Sequence, residues 1–113
     1  MDLPERMTAI AIAGPGGPEV LQPAEMAVPR PQAGQVLVRV ANAGVNRPDV
    51  LQRLGRYPPP AGASPIPGLE IAGEVVALGE GVAADMRCRK VCALVTGGGY
   101  AEYCLAVASH CLP

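Results

Sequence analysis

Four cysteines, Cys88, Cys92, Cys104 and Cys111, and a single histidine, His110, are the residues that first suggest metal or thiol chemistry. Tetrahedral zinc sites are built from closely spaced thiolate pairs, typically C-x2-C, joined by further Cys or His ligands. Here the spacing is C-x3-C, followed by gaps of eleven and six residues. One His-Cys neighbour pair does not complete a ligand set. The expectation is therefore small buried thiols, not a metal centre. A small metal-binding protein using the cysteines and His110 is a competing reading, and it predicts stoichiometric zinc.

Two glycine clusters could cradle a phosphate. Gly79-Glu80-Gly81-Val82-Ala83-Ala84 matches the form G-x-G-x-x-A after a strand. A dinucleotide fingerprint must open a helix whose N-terminus faces the pyrophosphate. Too few residues follow Ala84 for that helix, and Glu80 would set a negative charge beside the phosphates. A turn between strands is expected instead. Gly97-Gly98-Gly99 precedes a strand-like run, so it reads as a flexible corner where backbone passes close to another domain.

The elements that must position such residues are short. Thr8–Ala13 reads as a strand, and Gly14-Pro15-Gly16-Gly17-Pro18 turns the chain. Glu19–Val28 reads as an irregular returning strand, stopped by Pro29-Arg30-Pro31. In Gln35–Ala43 the residues Val36, Val38 and Val40 alternate with Leu37, Arg39 and Ala41, the pattern of a half-buried strand. Leu69–Leu78, Val91–Val95 and Tyr100–Val107 are further strands. The single helix starts at Asn46, a good N-cap, with Asp49 in the capping-box position and Pro48 in the first turn. Val50, Leu51 and Leu54 form its apolar face, and Gly55 stops it after about two turns. Many short strands and one short helix predict a mostly β, barrel-like domain spanning residues 1–113.

Bulk properties exclude several classes. The chain has 113 residues, three tyrosines as its only aromatics, 14 Gly and 13 Pro, and a net charge of −1. With no basic stripe, nucleic-acid binding has no support. No apolar run reaches the roughly 20 residues of a membrane span. The N-terminal Met1-Asp2-Leu3-Pro4-Glu5-Arg6 lacks the layout of a secretory signal. Disulfides are therefore not expected, and a cytoplasmic location is.

Several runs, in order, resemble quinone oxidoreductases of the medium-chain dehydrogenase/reductase superfamily. They are Gly16-Gly17-Pro18-Glu19-Val20-Leu21, Gly34–Val40, Ala43-Gly44-Val45-Asn46-Arg47-Pro48-Asp49, Pro67–Gly73 and Gly98-Gly99-Tyr100-Ala101-Glu102-Tyr103. The stretch from Asn46 to Pro60 is similar to the p53-inducible quinone oxidoreductase-like branch. The resemblance implies a GroES-like β-barrel, the substrate-side domain of an enzyme that passes hydride from NADPH to quinones or activated enones. It implies a separate Rossmann domain for the cofactor, which these 113 residues do not contain, and homodimers formed through that domain. The chain alone is thus expected to be inactive. A non-catalytic GroES-like binding module or a truncated product is the alternative.

The resemblance also assigns residues. In zinc-bearing relatives a Cys ligand stands at the position of Asn46 and a His ligand at that of Leu69. Neither residue here is a good zinc donor, and Glu70 alone makes no site, so no metal is expected. Asn46 matches a position at the nicotinamide side of the cleft, though it is equally well a plain helix N-cap. Asp49 matches a residue shaping the same corner, and capping-box acid is the stronger reading. Tyr57 matches a tyrosine at the cofactor and substrate cleft, where its phenol offers a donor and a flat face. Leu51 replaces a tyrosine of some relatives, which makes the pocket more apolar, and Leu69 lines that pocket or packs in the core. Finally, Cys88-Arg89 stands where relatives have a Gly-Asp turn, so a positive φ at Cys88 would be strained.

Overall fold

The computed structural model describes residues 3–113. Met1 and Asp2, the first two residues of the N-terminal stretch read above, lie outside it. The chain forms β1 (Arg6–Ile12), β2 (Leu21–Ala27), β3 (Gln35–Ala43), α1 (Arg47–Arg53), β4 (Glu70–Leu78), β5 (Lys90–Leu94) and β6 (Tyr103–Val107). Strands β1 and β2 pair as an antiparallel ribbon across the Gly-Pro turn. The other four form an antiparallel sheet in the order β5-β4-β3-β6. The hydrogen-bonded ladders do not close into a complete barrel. Isolated bridges, Ala9 with Ala101 and Cys92 with Leu112, tie the pieces together.

The core is aliphatic, as the scarcity of aromatics requires. Val36, Val38, Ile71, Val75, Val91, Ala93, Cys104 and Ala106 pack on one face of the large sheet. The half-buried pattern expected for β3 holds at Arg39 and Ala41, which are exposed, and departs at Leu37, which is as buried as its valine neighbours. Only the first half of this central strand is covered on both faces.

Three expectations need correction. First, β6 starts at Tyr103 and not at Tyr100, with Glu102 O still accepting from Val40 N–H of β3 at 2.9 Å. The Tyr100–Glu102 segment crosses to β1, with Ile10 N–H donating to Tyr100 O at 2.8 Å and Glu102 N–H to Thr8 O at 3.2 Å. Second, the cysteines are not all buried: Cys104 is, Cys111 is half-buried, and Cys88 and Cys92 are exposed. The alternation of β5 turns Cys92 outward, and Cys88 lies in the loop before that strand. Third, the helix buries not its apolar face but its acid. Val50, Leu51 and Leu54 are half-buried while Asp49 is buried.

The turn readings agree with the structure. Gly79 sits so close to the Gln32 carbonyl oxygen that no side chain could be accommodated. Gly79 N–H donates to Gln35 O at 2.7 Å and Gly34 N–H to Glu80 O at 2.9 Å, so this run turns the chain out of β4 beside the start of β3, on the way to β5, and opens no α-helix. Cys88 has φ +70°, the sole positive φ among described non-glycine residues. Its N–H donates to Val75 O at 2.8 Å while Arg89 O accepts from Val75 N–H at 2.9 Å. Two residues thus oppose one, a bulge whose first position is normally glycine.

Candidate functional site

Helix α1 is too short to be stable alone, and its last turn is tied to two loops. Gln52 Nε2 donates to Pro65 O at 3.1 Å, and Arg53 Nε donates to Gly16 O at 3.0 Å. Its N-terminus is the part that carries chemistry. Asn46, at φ −129° and ψ 162°, is the N-cap, and Asp49 completes the capping box. Pro48 has no N–H to lose in that first turn.

Asp49 does more than cap. One carboxylate oxygen, Oδ2, accepts from Asn46 N–H at 3.0 Å and from the Tyr100 hydroxyl at 2.7 Å. The residue is only 5% exposed, and its other oxygen, Oδ1, is buried with no protein partner among the described residues. Burial, and then the hydrogen bond to and charge of Asp49, push the Tyr100 phenol well above its ordinary range. Tyr100 therefore stays protonated and donating at any ordinary pH.

Glycines bring Tyr100 to this place. Gly98 N–H donates to Ile66 O at 2.7 Å, Gly99 N–H to Gly68 O at 3.0 Å, and Tyr100 N–H to Pro67 O at 2.9 Å. Backbone passes closely at Gly97–Gly99 against the 64–68 segment of this same domain.

Asn46 also reaches outward. Its Nδ2 donates to Glu70 Oε1 at 3.0 Å. Gly44 permits this, since a Cβ there would collide with the Glu70 carboxylate. An amide nitrogen carries two N–H donors, so one remains for a ligand. Glu70 also walls a crevice of about 600 Å³ with Leu94, Val95, Thr96, His110 and Leu112.

Of the residues singled out from sequence, Asn46 and Asp49 are thus joined by a direct bond. Tyr57 lies apart from their network. It is 39% exposed on the loop after α1, and no protein hydrogen bond engages its hydroxyl among the described residues. Leu51 and Leu69 are half-buried and are not walls of the crevice beside Glu70. Leu69 O accepts from Val95 N–H at 2.8 Å, which fixes the start of β4. Tyr100 was not singled out as a site residue. Its one signal was its place directly after three glycines, where close backbone approach can deliver a side chain to a distant element.

Zinc does not fit this corner. The donor set is an amide, an aliphatic side chain and a single carboxylate already hydrogen-bonded to that amide. No three Cys, His, Asp or Glu side chains converge among the described residues. No helix among the described residues is long and apolar enough to cross a membrane. What the arrangement offers is an amide donor held by the carboxylate that walls the crevice, a group suited to orienting a carbonyl or carboxamide.

Comparison with known proteins agrees with this geometry. Residues 32–113 match the alcohol dehydrogenase GroES-like domain family. The chain is 43% identical over 102 residues to the quinone oxidoreductase of Lama guanicoe, covering 88% of this chain and 31% of the relative. It superposes on the human synaptic vesicle membrane protein VAT-1 homolog-like protein with a TM-score of 0.85 and 32% identity, covering 95% of this chain and 35% of that one. A Mesorhizobium loti protein assigned as an NADPH:quinone reductase gives a TM-score of 0.82 at 32% identity, covering 100% and 38%. The chain spans about a third of the length of such relatives. It belongs to the alcohol dehydrogenase GroES-like domain family, within the medium-chain dehydrogenase/reductase superfamily.

Proposed function

We propose that residues 1–113 form the substrate-side domain of a zinc-independent, NADPH-dependent quinone oxidoreductase of the p53-inducible quinone oxidoreductase-like branch. The observation that carries the reading is the Asn46 amide, held by Glu70 at 3.0 Å where zinc-bearing relatives place a thiolate. With Leu69 in place of the second ligand, the corner is set for hydrogen bonding and not for metal.

Bound NADPH supplies the hydride, and a Rossmann domain beyond these residues holds most of it. This chain's own groups do the orienting. The Asn46 N–H not used by Glu70 donates toward the nicotinamide side of the cleft. Asp49 fixes the backbone from which Asn46 projects. Tyr57 presents a phenol face against which a flat quinone or enone can stack, and its hydroxyl can donate to the substrate oxygen. Leu51 and Leu69 keep the nearby surface apolar. Placing two flat rings face to face supplies much of the rate without a Lewis acid. The enzyme acts in the cytoplasm as a homodimer formed through its nucleotide-binding domain.

Metal removal tests the reading. Full-length protein treated with a strong chelator keeps its quinone-dependent NADPH oxidation, and the 113-residue chain by itself shows none above a protein-free control. Activity lost on chelation and restored by zinc would refute the zinc-free assignment.

A further inference from the structure

We propose that Tyr100 is a positioning residue, which acts through Asp49 to fix the Asn46 amide that faces the cleft. This rests on the oxidoreductase reading above and adds to it a residue 51 positions from the carboxylate it binds.

The argument starts from how Asp49 is satisfied. Both of its donors, Tyr100 O–H at 2.7 Å and Asn46 N–H at 3.0 Å, fall on Oδ2. Oδ1 is buried and has no protein partner among the described residues. A buried carboxylate depends heavily on each donor it has. Without the Tyr100 hydroxyl, Asp49 would be left with one backbone donor and would turn to find another. That turn releases Asn46 N–H, and Asn46 is the residue whose extended conformation starts α1 and whose amide meets Glu70.

Tyr100 is itself held firmly. Its backbone N–H donates to Pro67 O at 2.9 Å, and its carbonyl accepts from Ile10 N–H at 2.8 Å. Its ring lies over Gly68, where a Cβ would come within 2.7 Å of it. The phenol therefore has no other use within reach of its own backbone. It transmits the fixed crossing of residues 99–101 to the N-terminus of a two-turn helix.

The test has two arms on the full-length protein, with Tyr100→Phe keeping the ring and removing the donor. In ligand-free protein labelled with 15N-asparagine, the Asn46 backbone and side-chain signals should shift, and the backbone amide should exchange about tenfold faster. In kinetics, kcat should fall about tenfold, and Asn46→Ala/Tyr100→Phe should be no slower than Asn46→Ala, because both changes remove one unit. A Tyr100→Phe protein with a lower Tm but unmoved Asn46 signals and kcat overturns the proposal. Should Tyr100→Phe not fold, Asp49→Asn takes its place. It weakens the acceptor and must shift the same Asn46 signals, and unmoved signals overturn the proposal equally. If Asn46→Ala is as fast as wild type, the role given to Asn46 in the oxidoreductase reading fails, while the asparagine signals still decide the coupling.

Discussion

Gly68 and Gly99 stand back to back. Gly99 N–H donates to Gly68 O at 3.0 Å, and a Cβ on Gly99 would lie 2.9 Å from the Gly68 carbonyl carbon. Gly68 also has φ +106° and no room beside Tyr100 N, 2.7 Å from where its Cβ would be. This contact lets the 97–100 segment cross beneath the start of β4 and deliver Tyr100 to Asp49. Gly68→Ala should therefore cost about 3 kcal/mol, from backbone strain plus displacement of a packed strand entry. Urea unfolding measures it, and a change within about 0.5 kcal/mol would show that the approach is not needed.

Cys88 presents the opposite case. Its φ of +70° in the bulge opposite Val75 is one that glycine adopts freely and other residues do not. Cys88→Gly should stabilise the protein by about 1 kcal/mol, part of the strain relief being offset by a freer unfolded chain. The shift in denaturant midpoint reads this directly, and a destabilised variant would mean that the thiol makes a contact worth more than the strain.

The thiols should differ sharply in reactivity. Cys88 and Cys92 are exposed, whereas burial pushes Cys104 from 9.0 up to about 12. Thiolate is the reactive species. Alkylation followed by mass spectrometry should label Cys88 and Cys92 first and Cys104 last. The same shift sets a pH dependence. Below pH 9.0 the Cys104 thiol is neutral both folded and unfolded, so its contribution is fully present. Between 9.0 and about 12 the unfolded chain ionises first, and stability falls as pH rises. Tyr100, also raised, adds to this loss above its ordinary value of 10.0. Cys104→Ala should flatten part of the alkaline decline in Tm. An unchanged slope would assign the decline to other groups.

Tyr57 follows Gly55 and precedes three prolines, which stiffen the loop carrying it. It is partly exposed, and its hydroxyl is not spent on a protein partner among the described residues. If that hydroxyl meets charge developing on the substrate, Tyr57→Phe should lower kcat about tenfold. If only the ring matters, Phe should be neutral and Tyr57→Ala should raise KM. Steady-state kinetics on both variants distinguishes these outcomes, and two wild-type-like enzymes would remove Tyr57 from the site.

The amino-acid sequence alone determined the local features. The extended run of valines in β3, the Asn46 cap, the Gly55 stop and the Gly79–Gly81 turn follow from side-chain periodicity and backbone preferences, which act over a few residues. The strain at Cys88 was legible for the same reason, once glycine was expected there. Tertiary structure alone decided what is long-range. It set Asp49 inward while the leucines of α1 stayed half-buried, because a phenol arriving from residue 100 offered the carboxylate a donor. It bonded Tyr100–Glu102 to β1 ahead of β6, and it exposed Cys92 while burying Cys104. A carboxylate's partner 51 residues away leaves no periodic trace in the chain, because long-range backbone contacts, the packing of Gly68 against Gly99 among them, bring the two together.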